Sequence, residues 1–399
     1  MIARPRYLER LEKWRDRDVI KVVTGVRRCG KSTLMQMFAD RLIKGGVPES
    51  NIIAINLEQL ENERLLDYRK LHDEIVSRAG RAQGKVYVFL DEVQNVANFQ
   101  RVVDSLYTRK NIDLYITGSN ALLLGGSLAT LLSGRYIEIN MLPLSFSEYV
   151  SADKSGSSVQ RLYGRYVSNG SMPATVDFAQ NALNLHDYLE GILNTVLLKD
   201  VAQRLNISNT LGLGALCDFL FDNVGNQTSA KRISDLVSSQ GIKISANTVA
   251  EYLSALTSAF VFYPVKRYDV RGGRLLKLQE KYYAVDMGMR RCALTGNVRD
   301  GGRILENVVF LELKRRYADV FVGKVGNLEV DFVAITPEGP VYYQVAETVA
   351  SEKTLERELK SLEAIRDNHP KIMLTKDDVD PVSHGGIEQK NVIDWLLEE

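Results

Sequence analysis

The chain has 399 residues, 45% of them apolar and 25% charged, with 51 basic side chains against 50 acidic ones. That size and balance predict a soluble globular protein of two or three domains, and three cysteines and four histidines set far apart exclude a disulfide framework or a Cys/His zinc site. No apolar run reaches the roughly 18 residues that span a bilayer, and Met1-Ile2-Ala3-Arg4-Pro5 lacks the apolar stretch of a secretion signal, so the expected setting is the cytoplasm, with no membrane partner.

The first 150 residues alternate β-rich runs with amphipathic stretches, the pattern of an α/β fold with a parallel sheet covered by helices. Strands are predicted near 19–24, 52–57, 86–90, 114–117 and 136–139. Between the first two, Leu34, Phe38 and Leu42 recur every four residues and give a helix one apolar face before Gly45-Gly46 ends it. The polar stretch Ser151 to Ser158 marks a boundary, and 151–228 reads as a helical region that completes or links the first domain. Over 229–285 a helix with Ile233, Leu236 and Val237 inward, a turn at Gly241, and a helix begun by Ser245 with Val249, Leu253 and Leu256 inward precede two β-rich runs around Gly272-Gly273. This is the order of a winged helix-turn-helix. The last segment, 286–399, begins with a helix carrying Leu305, Val308, Val309 and Leu311. β-rich runs at 320–325, 328–335 and 341–346 follow, then a charged helix over 352–367 and a strand at 371–374.

Gly25-Val26-Arg27-Arg28-Cys29-Gly30-Lys31-Ser32 fits the phosphate-loop pattern G-x-x-x-x-G-K-[ST] and stands between an apolar strand and a helix. Backbone N–H groups and the helix N-terminus there converge on phosphate oxygens, with Thr33 next in the helix. Lys31 is assigned to the β/γ-phosphates and Ser32 to Mg²⁺, while Cys29 fills a variable loop position as a packing residue. The loop alone leaves ATP and GTP open. Asp91 and Glu92 end a buried strand, where parallel sheets bind ligands, so Asp91 is assigned to Mg²⁺ and Glu92 to the water that attacks the γ-phosphate. Asn120 or Ser119, at the end of the next strand, is a candidate for the γ-phosphate or that water. Arg135 is a candidate charge stabiliser, in cis or toward a neighbouring subunit.

Together with the paired Arg27-Arg28, the runs Leu90-Asp91-Glu92-Val93-Gln94, Thr117-Gly118-Ser119-Asn120 and Leu142-Pro143-Leu144-Ser145-Phe146 resemble a prokaryotic family of AAA-like ATPases. Lys281-Tyr282-Tyr283-Ala284-Val285-Asp286, Leu305-Glu306-Asn307 and Glu329-Val330-Asp331-Phe332-Val333 extend the resemblance over almost the whole chain. The resemblance implies ATP as the nucleotide, and an ATPase core followed by a winged helix and a restriction-endonuclease-like domain of the PD-(D/E)xK type. That last fold would gather Glu306, Asp331 and an acid-x-lysine pair around Mg²⁺. Here the pair reads Gln344-Val345-Ala346, so a degenerate nuclease site is expected, with Lys353 or Lys360 as substitutes for the lysine.

The presumed recognition helix presents Asn247, Thr248, Glu251 and Ser254, and the positive charge lies on the wing at Lys266, Arg267, Arg271 and Arg274. Residues 281–399 carry 16 basic against 21 acidic side chains, which disfavours a broad DNA-gripping face there. Two functions stay open. One is an Mg²⁺-dependent ATPase coupled to duplex or branched DNA through the wing, assembled as a homo-oligomer; the other is a nucleotide-gated switch whose C-terminal domains bind a protein. A metal-dependent nuclease is the third and weakest reading.

Overall fold

Five short runs rich in β-branched and aromatic residues pair side by side in one direction: β1 (Ile20–Thr24), β2 (Ile52–Asn56), β3 (Val86–Asp91), β4 (Ile112–Gly118) and β5 (Tyr136–Asn140). Their order in the sheet is β2-β3-β4-β1-β5. β1, β3 and β4 are buried along their whole length, which is why they read as near-continuous apolar runs instead of alternating ones. The computed structural model describes residues 1–121, 134–178, 182–203, 207, 209–239, 241–294 and 300–398. Among them no helix is long and apolar enough to cross a membrane.

The chain divides into two units, Met1–Met141 with Ser258–Phe260, and Leu142–Thr257 with Val261–Glu399. In the first, α1 (Pro5–Lys13), α2 (Lys31–Lys44), α3 (Tyr68–Ala79) and α4 (Phe99–Tyr107) accompany the sheet. Leu71 and Ile75 of α3 and Val103 and Leu106 of α4 share one core with Ile53, Val88 and Leu114 of the strands. On α2 the buried apolar residues are Leu34, Met35, Phe38, Ala39 and Leu42, and Leu34, Phe38 and Leu42 keep the predicted fourfold spacing. Phe38 packs on Tyr115, which stacks on Phe89 with ring centroids 4.8 Å apart. The parallel register sets Thr24 beside Gly118 and Asn56 beside Asp91, so the carboxyl ends of four strands form one edge.

The second unit starts at Leu142, nine residues before the predicted boundary at Ser151. Leu144 donates its N–H to the Ser171 carbonyl, and Phe146 and Tyr149 of α5 (Phe146–Ala152) pack edge-on against Tyr163 and Tyr166 of α6 (Val159–Asn169). Aromatic packing therefore ties 142–152 to α6, and the polar Ser151–Ser158 stretch is a surface connection within the unit. α7 (Ala182–Thr195) and α8 (Thr210–Asp222) lead to the helix pair α9 (Ala230–Ser239) and α10 (Ala246–Ser258). α9 buries Ile233, Ser234 and Val237, whereas Leu236, expected inward, is exposed on the other face.

The hairpin β7 (Phe262–Asp269) and β8 (Arg274–Ala284) turns at Gly272-Gly273, with Gly273 in the left-handed region at φ 61°. It is not a free-standing wing. β7 also pairs in parallel with β9 (Asp319–Val325) through Arg267, Tyr268 and Asp269. With β6 (Gln227–Thr228), β10 (Leu328–Thr336), β11 (Gly339–Val345), β12 (Lys371–Thr375), β13 (Val382–His384) and β14 (Ile387–Asn391), the hairpin builds a nine-stranded mixed sheet in the order β13-β14-β12-β11-β10-β9-β7-β8-β6. The sheet thus runs across the boundary placed between 285 and 286. α11 (Met287–Ala293), α12 (Gly301–Arg316), α13 (Glu352–Glu363) and α14 (Val392–Leu397) complete the unit. Leu359 and Leu362 of α13 share a core with Val330, Val333, Tyr342 and Met373.

Candidate active site

Gly25 leaves β1 at φ 147°, and a Cβ there would lie 2.2 Å from the Met141 carbonyl oxygen, so the loop begins at a position closed to any other residue. Gly30, at φ 105°, caps α2, and Lys31 is its first residue. The Lys31 side chain folds back into the loop it follows. Its Nζ donates to the carbonyls of Gly25 (3.1 Å) and Val26 (3.3 Å) and stands 3.5 Å from Glu92 Oε1, with only 4% of the residue exposed. Arg4 donates to the Cys29 carbonyl and Arg27 to Glu58, which tie the loop to α1 and to the end of β2. Burial pushes the Cys29 thiol up from its ordinary value, in keeping with a packing role. Ser32 and Thr33 are exposed at the start of α2.

At the end of β3 the Asp91 carboxylate accepts from Thr117 Oγ1 (2.5 Å) and Asn56 Nδ2 (2.9 Å), and the Ser32 hydroxyl also donates to it. Burial raises its pKa despite those donors. An alcohol and a carboxylate oxygen thus adjoin at the carboxyl edge, the hard donor set that suits Mg²⁺, and the residues fit that ion. Glu92 follows in the left-handed region at φ 54°, its N–H held by Thr117 Oγ1 at 2.9 Å. A non-glycine residue there stores strain of order 1 kcal/mol, and the bend aims the carboxylate back at the loop. Burial alone would raise Glu92, but Lys31, the Gln94 amide and Arg27 outweigh it and hold the carboxyl below its usual range. Ser119 and Asn120 lie just past β4, each 1% exposed, and Gln94 Nε2 is 3.4 Å from Ser119 Oγ.

The phosphate loop, Asp91, Glu92, Ser119 and Asn120 therefore meet at one sheet edge. Arg135 does not join them. Tyr136 pairs with Ile20, which puts Arg135 at the amino edge, where it is ion-paired with Asp104 (2.9 Å) and lies over the Tyr107 ring. Of the two alternatives for Arg135, in cis or toward a neighbouring subunit, the register of β5 against β1 sets its position a strand's length from its own loop. The partners missed from sequence are Asn56, Glu58 and the double role of Thr117. Their only signal was a polar residue at the carboxyl end of each strand.

In the second unit Glu306 and Asp331 both lie near Lys281, a residue with no chemical role assigned from sequence. Lys281 Nζ is 3.0 Å from Glu306 Oε1 and 2.8 Å from Glu329 Oε1, and the residue is 4% exposed. Asp331 Oδ2 accepts from the Val345 N–H, and burial with the nearby Glu306 pushes its carboxyl well above the ordinary range. Gln344 Oε1 accepts from Ser361 and its Nε2 donates to Glu358. Lys353 and Lys360, the expected substitutes, are exposed on α13.

At the hairpin, Lys266, Arg271 and Arg274 are exposed, Arg274 stands 3.9 Å from Asp269, and Arg267 donates to Gln279. On α10, Asn247, Glu251 and Ser254 are exposed, whereas Thr248 is bonded to Ser245 in the helix cap.

Residues 17–150 match the model of an AAA domain and residues 160–300 that of a domain of unknown function. An uncharacterized protein of Haemophilus influenzae is 39% identical over 401 residues, covering 100% of this chain and 99% of its own length. Another, from Methanocaldococcus jannaschii, is 30% identical over 367 residues, covering 87% and 79%. Among solved structures, a Walker-type ATPase of Pyrococcus abyssi is similar in fold at a TM-score of 0.51 and 15% identity, over 73% of this chain and 96% of that one.

Proposed function

We propose that this chain, which belongs to the family of the Haemophilus influenzae and Methanocaldococcus jannaschii relatives and matches an AAA domain over residues 17–150, binds ATP with Mg²⁺ and hydrolyses it. The observation that carries this is the convergence of Lys31, Ser32, Asp91 and Glu92 at the carboxyl edge of one parallel sheet. Lys31 exchanges its contacts with the Gly25 and Val26 carbonyls for phosphate oxygens, and the loop N–H groups bind the rest of the phosphate chain. Ser32 and Asp91 would hold Mg²⁺, which supplies positive charge to the β- and γ-phosphate oxygens. Glu92, ionised beside Lys31, orients the attacking water and takes its proton, and Asn120, buried just past β4 at the same sheet edge, is a further candidate for the γ-phosphate or that water.

We infer that this turnover drives a DNA transaction, duplex or branched, through the hairpin end. Lys266, Arg271 and Arg274 are exposed there, and α9, α10 and the hairpin follow the order of a winged helix. Arg135 would serve a neighbouring subunit of a homo-oligomer. The segment from β9 to β12 with α12 and α13 is an endonuclease-like remnant in this reading, because Ala346 stands where a catalytic lysine is needed. One observation favours the second reading, a nucleotide-gated switch with a protein partner: the hairpin is held inside a nine-stranded sheet, and α10 exposes no basic residue.

Steady-state ATP hydrolysis across a salt series, with duplex, single-stranded or branched DNA, separates the two. Stimulation by one DNA form that weakens with salt and disappears in Lys266→Glu/Arg271→Glu supports the DNA reading. Turnover indifferent to every nucleic acid transfers the function to the protein-coupled switch, and no hydrolysis at all ends the ATPase reading.

A further inference from the structure

The cluster around Lys281 contains three carboxylates, contributed by two elements. Glu306 comes from α12, Glu329 and Asp331 from β10, while the lysine rises from β8. Each carboxylate also has a donor of its own: Tyr283 Oη gives a 2.6 Å hydrogen bond to Glu306, the Gln227 amide donates to Glu329, and the Val345 N–H donates to Asp331. Asn307, beside Glu306, clamps the Ala284 backbone through both its N–H and its carbonyl, at 2.8 and 2.9 Å. The end of β8 is thus fastened to α12 by hydrogen bonds from the Asn307 amide and to β10 by charge.

A buried ammonium ordinarily loses its proton, since burial penalises the charged form. Here the Lys281 ammonium has two carboxylate partners at hydrogen-bond distance, Glu306 at 3.0 Å and Glu329 at 2.8 Å, and each offsets the cost of burial. Its Nζ fills the space between Glu306 Oε1 and Glu329 Oε1 at hydrogen-bond distances, too long for metal coordination, which is about 2.0–2.6 Å for hard cations. Among the described residues no three His, Cys, Asp or Glu side chains converge closely enough to hold a metal ion. The ammonium stands between Glu306 Oε1 and Glu329 Oε1 and offsets the negative charge gathered there.

We propose that Lys281 is a built-in cation: its ammonium occupies the place that a divalent metal would take among Glu306, Glu329 and Asp331, and joins the hairpin to α12 and β10 without metal. Removing it leaves three carboxylates facing one another, and a divalent ion becomes the means of closing the cluster.

The test uses the full chain, free of nucleotide, in an Asp91→Asn background that removes the carboxylate at the phosphate loop. Mn²⁺ binding is followed by electron paramagnetic resonance and thermal unfolding by circular dichroism. With Lys281 present, Mn²⁺ leaves the midpoint unchanged and no bound Mn²⁺ responds to Asp331→Asn. Lys281→Met gains one bound Mn²⁺ per chain and a midpoint that rises with Mn²⁺, and both effects vanish when Asp331→Asn is added. Mn²⁺ bound with Lys281 in place and lost on Asp331→Asn overturns the proposal, and that arm decides even where Lys281→Met does not fold. A folded Lys281→Met that takes up no Mn²⁺ also overturns it.

Discussion

Glu92→Gln removes one charge from a buried pair without changing its shape. Glu92 Oε1 lies 3.5 Å from Lys31 Nζ, and the two side chains are only 8% and 4% exposed. At that distance an effective dielectric of about 20 gives an attraction of about 5 kcal/mol, partly offset by desolvation of both ions. ATP has to displace this tie when its phosphates take Lys31. Releasing even about 1.4 kcal/mol of it corresponds to roughly tenfold tighter nucleotide binding, so affinity holds or rises in the variant. Hydrolysis responds in the opposite sense, because the amide cannot accept the water's proton, and losing a positioned general base lowers the rate by about 10²–10⁴. The assay pairs equilibrium binding of a fluorescent ATP analogue with single-turnover hydrolysis, which separates chemistry from release. A single-turnover rate close to that of the wild type, or weaker binding with the rate unchanged, refutes the assignment of Glu92.

Lys31→Ala deletes the only side-chain ammonium that the described residues bring to the Gly25–Ser32 loop; nucleotide binding by calorimetry should fall to baseline while the circular dichroism spectrum stays native. Burial pushes the Tyr166 hydroxyl from 10.0 up to about 12, so the unfolded chain ionises first. Stability is complete below pH 10 and declines by about 3 kcal/mol as pH rises to 12. Urea midpoints across that window should fall less steeply in Tyr166→Phe, which also loses the bond to the Leu144 carbonyl at every pH; parallel slopes would count against the burial argument. Burial also raises the thiols of Cys29 and Cys217, while Cys292 is only half-buried and pushed up to about 11. A maleimide at about pH 8 should therefore label Cys292 first, as peptide mapping would show, and leave ATP hydrolysis intact.

Local pattern made the first unit legible. The glycine loop between an apolar strand and a helix, the spacing of Leu34, Phe38 and Leu42, and the carboxylates closing β3 each lie within a few consecutive residues. Hydrophobic periodicity and backbone constraints act at that range, and parallel strands bring their carboxyl ends to a shared edge by construction. The sequence could not tell which polar groups would serve Asp91, because Asn56 and Thr117 reach it only through strand pairing across segments 35 and 26 residues away. Nor could it place Arg135, whose edge is set by the register of β5 against β1.

The second unit depended still more on long-range pairing. The order helix, turn, helix, hairpin was visible, but the bond between β7 and β9 that draws the hairpin into a larger sheet joins residues more than fifty positions apart. Lys281 heads one of the runs that carry the resemblance, but nothing in that run gave it a chemical role. Only the meeting of β8, α12 and β10 surrounds it with Glu306, Glu329 and Asp331, since electrostatic environment belongs to a position in space and has no signature along the chain.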